Sequence, residues 1–180
     1  MAERALGRPD APVVVQEWFS LTCTHCAHFA LTAFPEVKRT LIDTGRVRYV
    51  FRDFPLDRLA LAAAMVARTL PPDRYAPFVD TLFATQDRWA FVRDADPIDR
   101  LRHEAALAGM DDASFRRALD DQALQDAILR EQTEGDGRFK IEGTPTFVFN
   151  DAKRGPIITA ADFLKAVDDS VHDGPPAGKG

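Results

Sequence analysis

Phe19-Ser20-Leu21-Thr22-Cys23-Thr24-His25-Cys26 sets the chain's two cysteines two residues apart, where an apolar run gives way to a helical pattern. The run before them, Val13-Val14-Val15-Gln16-Glu17-Trp18-Phe19, is β-branched and aromatic, the composition of a buried strand. Beyond Cys23, the apolar residues Phe29, Leu31, Phe34 and Val37 fall at mostly helical spacings. Cys23 is therefore expected at a helix N-terminus. Unpaired backbone N–H groups and the positive end of the helix dipole favour an anion there, which lowers the thiol pKa and predicts a thiolate near neutral pH. Cys26, one turn further in, is expected beneath it and more buried. An exposed thiolate that attacks and a sheltered thiol that resolves are the working parts of thiol-disulfide exchange.

Other chemistry uses the same spacing. A closed tetrahedral zinc site needs two more ligands, and His25, His28, His103 and His172 are the histidines available. A copper- or zinc-binding protein using Cys23, His25 and Cys26 is thus the non-enzymatic alternative. A purely structural disulfide would close a very short loop in a chain of 180 residues that is long enough to fold without it. With 46% hydrophobic and 28% charged residues, the chain reads as one globular domain with room for an inserted subdomain. A net charge of −5, with acids and bases intermixed, argues against a nucleic-acid or anionic-membrane surface. No transmembrane run occurs, and Met1 to Gly7 lacks a signal h-region, so either the chain is cytosolic or its signal peptide is absent from this sequence.

In chain order, Arg4 to Gly7 reads as a short edge strand, followed by a proline-marked turn and the strand of residues 13–19. The helix opened at Cys23 is disturbed at Pro35, resumes through Val37, Leu41 and Ile42, and stops at Gly45. Residues 46–54 alternate and end at Pro55, which predicts a second strand and a right-handed βαβ unit. From Asp57 to about Phe139 the periodicity is helical: one helix ends at Pro71-Pro72, the next carries Tyr75 to Phe83, and others are predicted over 97–108, 112–119 and 122–134. Gly143-Thr144-Pro145-Thr146 then opens an apolar strand, with Pro145 at its first step and a cis Thr144-Pro145 bond expected. Gly155 to Thr159 is expected to pair antiparallel beside it, and a helix from Ala160 through Val167 closes the fold.

A βα turn bearing Cys-Thr-His-Cys, a long helical insertion and a late Gly-Thr-Pro-Thr together resemble the DsbA-type thiol:disulfide oxidoreductases of the thioredoxin superfamily. The resemblance covers nearly the whole chain and is most specific at residues 17–26 and 143–146. It implies an α/β thioredoxin fold with an inserted all-helical subdomain. Residues 1–56 form the first thioredoxin-like part, 57–139 the insert, 140–173 the second part and 174–180 a flexible tail. It also implies that Cys23 is the nucleophile and that Pro145 faces the disulfide. Where the family commonly has Cys-Pro-His-Cys, this chain has Thr24 in place of the proline, a position that tunes the redox potential. The redox-active disulfide Cys23-Cys26 is the only prosthetic element expected, with no cofactor and no metal.

The remaining candidates follow from chemistry and spacing. An imidazole at His25 can stabilise the Cys23 thiolate. Glu17, a carboxylate in the middle of a buried strand, is costly unless it has a partner or a task. The task expected is to accept the Cys26 proton when the mixed disulfide resolves. In thioredoxin-like proteins an acid six residues before the first cysteine does this, which is the spacing of Glu17, and its expected basic partner on the next strand is Arg48 or Arg52. Thr144 can pair its backbone with an extended substrate segment, and Thr24 and Pro145 complete the expected substrate-binding set. The function expected is introduction of disulfides into unfolded or newly exported proteins. The resemblance implies a monomer in the periplasm and a membrane-bound reoxidising partner, with no nucleic acid. A reductase or isomerase of the same fold is the enzymatic alternative.

Overall fold

The computed structural model describes residues 1–172; the expected tail at 174–180 lies outside the described residues. Strand β1 (Arg4–Leu6) precedes β2 (Val13–Phe19), and Cys23 caps helix α1 (Thr24–Thr32). Pro35 sits in the first turn of α2 (Phe34–Val37), where a missing N–H costs nothing. This helix runs on as a π-turn over Lys38–Ile42 and ends at Gly45, whose φ of 79° only glycine adopts freely. Strand β3 (Val47–Asp53) lies parallel to β2, in register from Val13 beside Val47 to Phe19 beside Asp53.

Six helices follow before the chain returns to the sheet: α3 (Arg58–Thr69), α4 (Pro72–Ala84), α5 (Gln86–Trp89), α6 (Pro97–Leu107), α7 (Asp112–Asp120) and α8 (Gln122–Phe139). The one-turn α5 was not expected from the pattern, and α8 runs past Glu134, where the sequence pointed to its end. Strands β4 (Thr146–Phe149) and β5 (Ala152–Arg154) and helix α9 (Ala160–His172) complete the fold. The sheet order is β1-β3-β2-β4-β5, and every pairing except β2 with β3 is antiparallel.

The edge strand differs from its expected position. Asn150 and Asp151 both hold positive φ, 45° and 71°, which makes a two-residue hairpin turn, so β5 starts at Ala152 rather than at Gly155. Beyond it, the segment 155–159 begins Gly155-Pro156, and proline has no N–H to offer a ladder. Asn150 also donates from its backbone to the Val14 carbonyl at 2.9 Å and accepts from the Val14 N–H through Oδ1 at 2.9 Å, locking the hairpin to β2.

The sheet's two faces carry different tasks. Val13, Val15, Glu17 and Phe19 share one face with Val47, Tyr49 and Phe51 of β3 and with Phe147 and Phe149 of β4. Phe29 of α1 and Phe163 of α9 close over this face, 4.7 and 5.7 Å from Phe147 by ring centroid. The same continuous core takes in Phe83, Leu101 and Phe115, so the inserted helices share it with the sheet. On the opposite face Trp18 and Val148 pack against Phe139 and Ile141 beneath α8.

Gly135 explains why α8 can lie so close. A Cβ there would collide with the six-membered ring of Trp18, whereas one at Gly137 would meet nothing within 4 Å. Gly135→Ala is therefore expected to destabilise the protein by about 1–3 kcal/mol through overpacking that outweighs the gain in helix propensity. Gly137→Ala is expected to stabilise it by up to about 1 kcal/mol. Denaturant unfolding of the two variants checks the contrast; equal shifts would remove the close approach as the reason for Gly135.

Candidate active site

The turn from β2 into α1 is held from several sides. Cys23 adopts φ −83° and ψ 120°, the extended conformation of an N-cap, and its sulfur accepts the Cys26 backbone N–H at 3.4 Å. Gln86 of α5, buried, donates Nε2 to the carbonyls of Leu21 at 2.8 Å and Cys23 at 3.1 Å. Thr22 donates its hydroxyl to Asp57 at 2.7 Å, and Asp57 in turn caps α3 by accepting from the Ala60 N–H. The Leu56 N–H donates to Ser20 Oγ at 3.3 Å. Anchors from the helical insert thus define where the first cysteine sits. No sequence pattern marks Gln86, because its role rests on contacts some 65 residues away.

Cys23 is 8% exposed and Cys26 fully buried, so the first thiol is more sheltered than expected, while the burial of the second and their order of exposure are as expected. The Thr144-Pro145 bond is cis, and the Thr144 carbonyl accepts from the Cys23 thiol at 3.2 Å. The motif and the Thr144-Pro145 turn therefore meet although 121 residues separate them. The Cys23 thiol is lowered to about 5. A hydrogen bond from the Cys26 thiol is the largest cause; the backbone N–H groups of Cys26 and His25 add to it, against partial desolvation. Burial pushes the Cys26 thiol well up, and its bond to the Cys23 sulfur and the charge of Glu17 push the same way.

The His25 ring is exposed and makes no hydrogen bond to Cys23 among the described residues; what His25 brings to the sulfur is its backbone N–H. Thr24 is likewise exposed, at the first helical position. Among the described residues, no group of three or more His, Cys, Asp or Glu side chains is placed to hold a metal ion.

Glu17 lies on the inner face, 4% exposed. Its expected partner was Arg48 or Arg52, and this is corrected. With Val13 beside Val47, Glu17 shares its face with Tyr49 and Phe51, while Arg48 and Arg52 point to the opposite face. There Arg48 pairs with Glu3 at 2.8 Å, and Arg52 with Glu131 at 2.7 Å and Glu3 at 3.2 Å. The partner of Glu17 is the buried Tyr49 hydroxyl, which donates to Oε2 at 2.6 Å. Burial raises the Glu17 carboxyl to about 8; the Tyr49 hydrogen bond opposes this, and the charges of Asp80 on α4 and of Cys23 add to it.

Comparison with known proteins matches this arrangement to a family. The thioredoxin family model covers residues 1–169. A Rickettsia felis protein, provisionally named a protein-disulfide oxidoreductase, is 30% identical over 154 residues, which make up 85% of this chain and 55% of that protein. This chain thus spans little more than half the length of the Rickettsia relatives that it matches. Disulfide bond formation protein D of Bacillus subtilis is 27% identical over 158 residues, covering 81% of this chain and 67% of that protein. The crystal structure of alpha-DsbA1 from Wolbachia pipientis is 30% identical with a TM-score of 0.85, over 95% of this chain and 92% of that one.

Proposed function

We propose, from the premise that this chain belongs to the thioredoxin family and within it to the DsbA-type thiol:disulfide oxidoreductases, that it introduces disulfide bonds into unfolded or newly exported proteins. The observation that carries this reading is the asymmetry of the two thiols: Cys23 is lowered to about 5 and Cys26, fully buried, is pushed up. A sulfur of low pKa is a good leaving group, which favours handing the disulfide on.

In this reading a substrate thiolate attacks Cys23 in the Cys23-Cys26 disulfide, and the Cys26 sulfur departs with the bonding pair and is protonated. A second substrate thiolate then attacks the substrate sulfur of the mixed disulfide and releases Cys23 as a thiolate. The substrate loses two electrons and gains a disulfide; the protein ends as the dithiol. Thr144 offers its backbone to an extended substrate segment, Pro145 faces the sulfurs, and Thr24 and His25 border the entry. Glu17 exchanges the proton of Cys26. The cycle needs an oxidising compartment, the periplasm, and a membrane-bound partner that restores the disulfide.

Stoichiometric oxidised protein should convert a reduced, unfolded test protein to its disulfide form. Cys26→Ser should accumulate a mixed disulfide through Cys23, and Cys23→Ser should be inert. Trapping through Cys26, or no transfer at all, would remove the reading. Preferential reduction of an intact disulfide protein would promote the reductase alternative.

A further inference from the structure

We propose that Tyr49 is a positioning residue for proton exchange at Cys26: its phenol holds Glu17 Oε2 and leaves Oε1 as the oxygen that passes a proton to and from the Cys26 sulfur. This rests on the oxidoreductase reading and names a residue that neither the motif nor the spacing singles out.

Three observations carry it. The Tyr49 hydroxyl donates to Oε2 at 2.6 Å, while Oε1 is buried without a hydrogen-bond partner among the described residues. With the phenol hydrogen directed to Oε2, Oε1 is the carboxyl oxygen left free to carry the exchanging proton. The ring itself is fixed, fully buried among Phe34, Phe51 and Phe163 at centroid distances of 4.9, 5.3 and 6.2 Å.

The character of the partner then decides the direction of proton flow. A cation opposite Glu17 would hold it ionised, whereas a phenol that stays neutral does not. The titratable groups that bear on Glu17 are Tyr49 from β3, Cys23 at the N-cap of α1 and Cys26 within it, and Asp80 from α4, with Lys38 acting on Asp80. Below about pH 8 Glu17 is accordingly loaded with a proton. When a substrate thiolate forms its bond to Cys23 and the Cys23–Cys26 bond breaks, the proton on Oε1, which has no direct contact with a sulfur, is relayed through one water to the departing Cys26 sulfur, and Glu17 is left as a carboxylate that solvent reprotonates. In the reverse step the carboxylate removes the Cys26 proton as that sulfur attacks Cys23 and expels the substrate thiolate.

The test follows attack of Cys26 on a Cys23–glutathione mixed disulfide between about pH 5 and pH 10, in the unaltered protein, Tyr49→Phe and Glu17→Gln. The rate in the unaltered protein should rise through a midpoint near 8. Tyr49→Phe removes the bond that lowers the Glu17 pKa, so its midpoint should move up, and below it the rate should fall about three- to tenfold. Alkylation of Cys23 and its pH dependence should not change. Glu17→Gln should abolish the midpoint. An unmoved midpoint in Tyr49→Phe, or one that survives in Glu17→Gln, overturns the proposal. Should Tyr49→Phe not fold, carbon-13 NMR of the unaltered protein decides: the Glu17 carboxyl and the Tyr49 Cζ should shift together near pH 8, and a carboxyl that titrates in the ordinary range overturns it. The trapping experiment with Cys26→Ser does not involve Tyr49, so the oxidoreductase reading and this inference fail separately.

Discussion

Iodoacetamide near pH 6 is expected to alkylate Cys23 of the reduced protein at least about a hundredfold faster than Cys26. With its thiol at about 5, roughly nine tenths of Cys23 is thiolate there, against roughly 0.3% for an ordinary cysteine at about 8.5. Two effects then compete. The gain in thiolate is about three hundredfold, but intrinsic nucleophilicity falls with basicity and takes back about thirty- to fortyfold. Cys23 thus ends about tenfold ahead of an unperturbed exposed thiol. Cys26 falls behind by both routes, since its pKa is pushed up and its sulfur is fully buried. Alkylation followed by mass spectrometry reads the ratio, and the Cys23 rate should titrate with a midpoint near 5. Equal rates at the two sulfurs, or a midpoint in the ordinary thiol range, would dismantle the assignment of nucleophile and resolving thiol.

The reduced protein is expected to melt about 2–4 °C above the oxidised one near pH 7, and the order is expected to reverse below about pH 6.5. Cys23 has a depressed folded-state pKa, so its contribution is complete above the unfolded value of about 8.5 and disappears as pH falls through about 5. Near pH 7 the part in force spans roughly two pH units, about 3 kcal/mol, and only the dithiol form has it. Against it, the disulfide closes a very short loop and restricts the unfolded chain by about 2 kcal/mol. The remainder favours the reduced form by about 1 kcal/mol, or about 2–4 °C for a chain of this length. Glu17 acts in the opposite sense. Its raised carboxyl costs stability progressively as pH climbs from about 4.3 towards about 8, but it does so in both redox forms and largely cancels in the difference. Thermal melts of the two forms across this range measure the effect. An oxidised form that melts clearly higher near pH 7 would contradict the oxidant and favour a reductase.

What the sequence by itself determined rests on near neighbours. A β-branched run followed by helical spacing places Cys23 at an N-cap, and the prolines and Gly45 punctuate the helices where the structure has them. Glu17 stands out because a carboxylate inside an apolar strand has to be accounted for, and it is buried. The length of α8 was less legible. Gly135 and Gly137 weaken the helix pattern, and only the Trp18 ring pressed against Gly135 shows why a glycine is kept there.

The tertiary structure alone decided the partners. Whether Glu17 meets Tyr49 or an arginine depends on the register between β2 and β3, and a slip of one residue would exchange the two faces. Spacing along one strand carries no information about that register. The same holds for Gln86 beneath the cysteine turn, for Thr144 against the Cys23 sulfur, and for Asp80 near Glu17. Each lies tens of residues from its counterpart, and such contacts are made by packing the shared core rather than by any local preference of the chain.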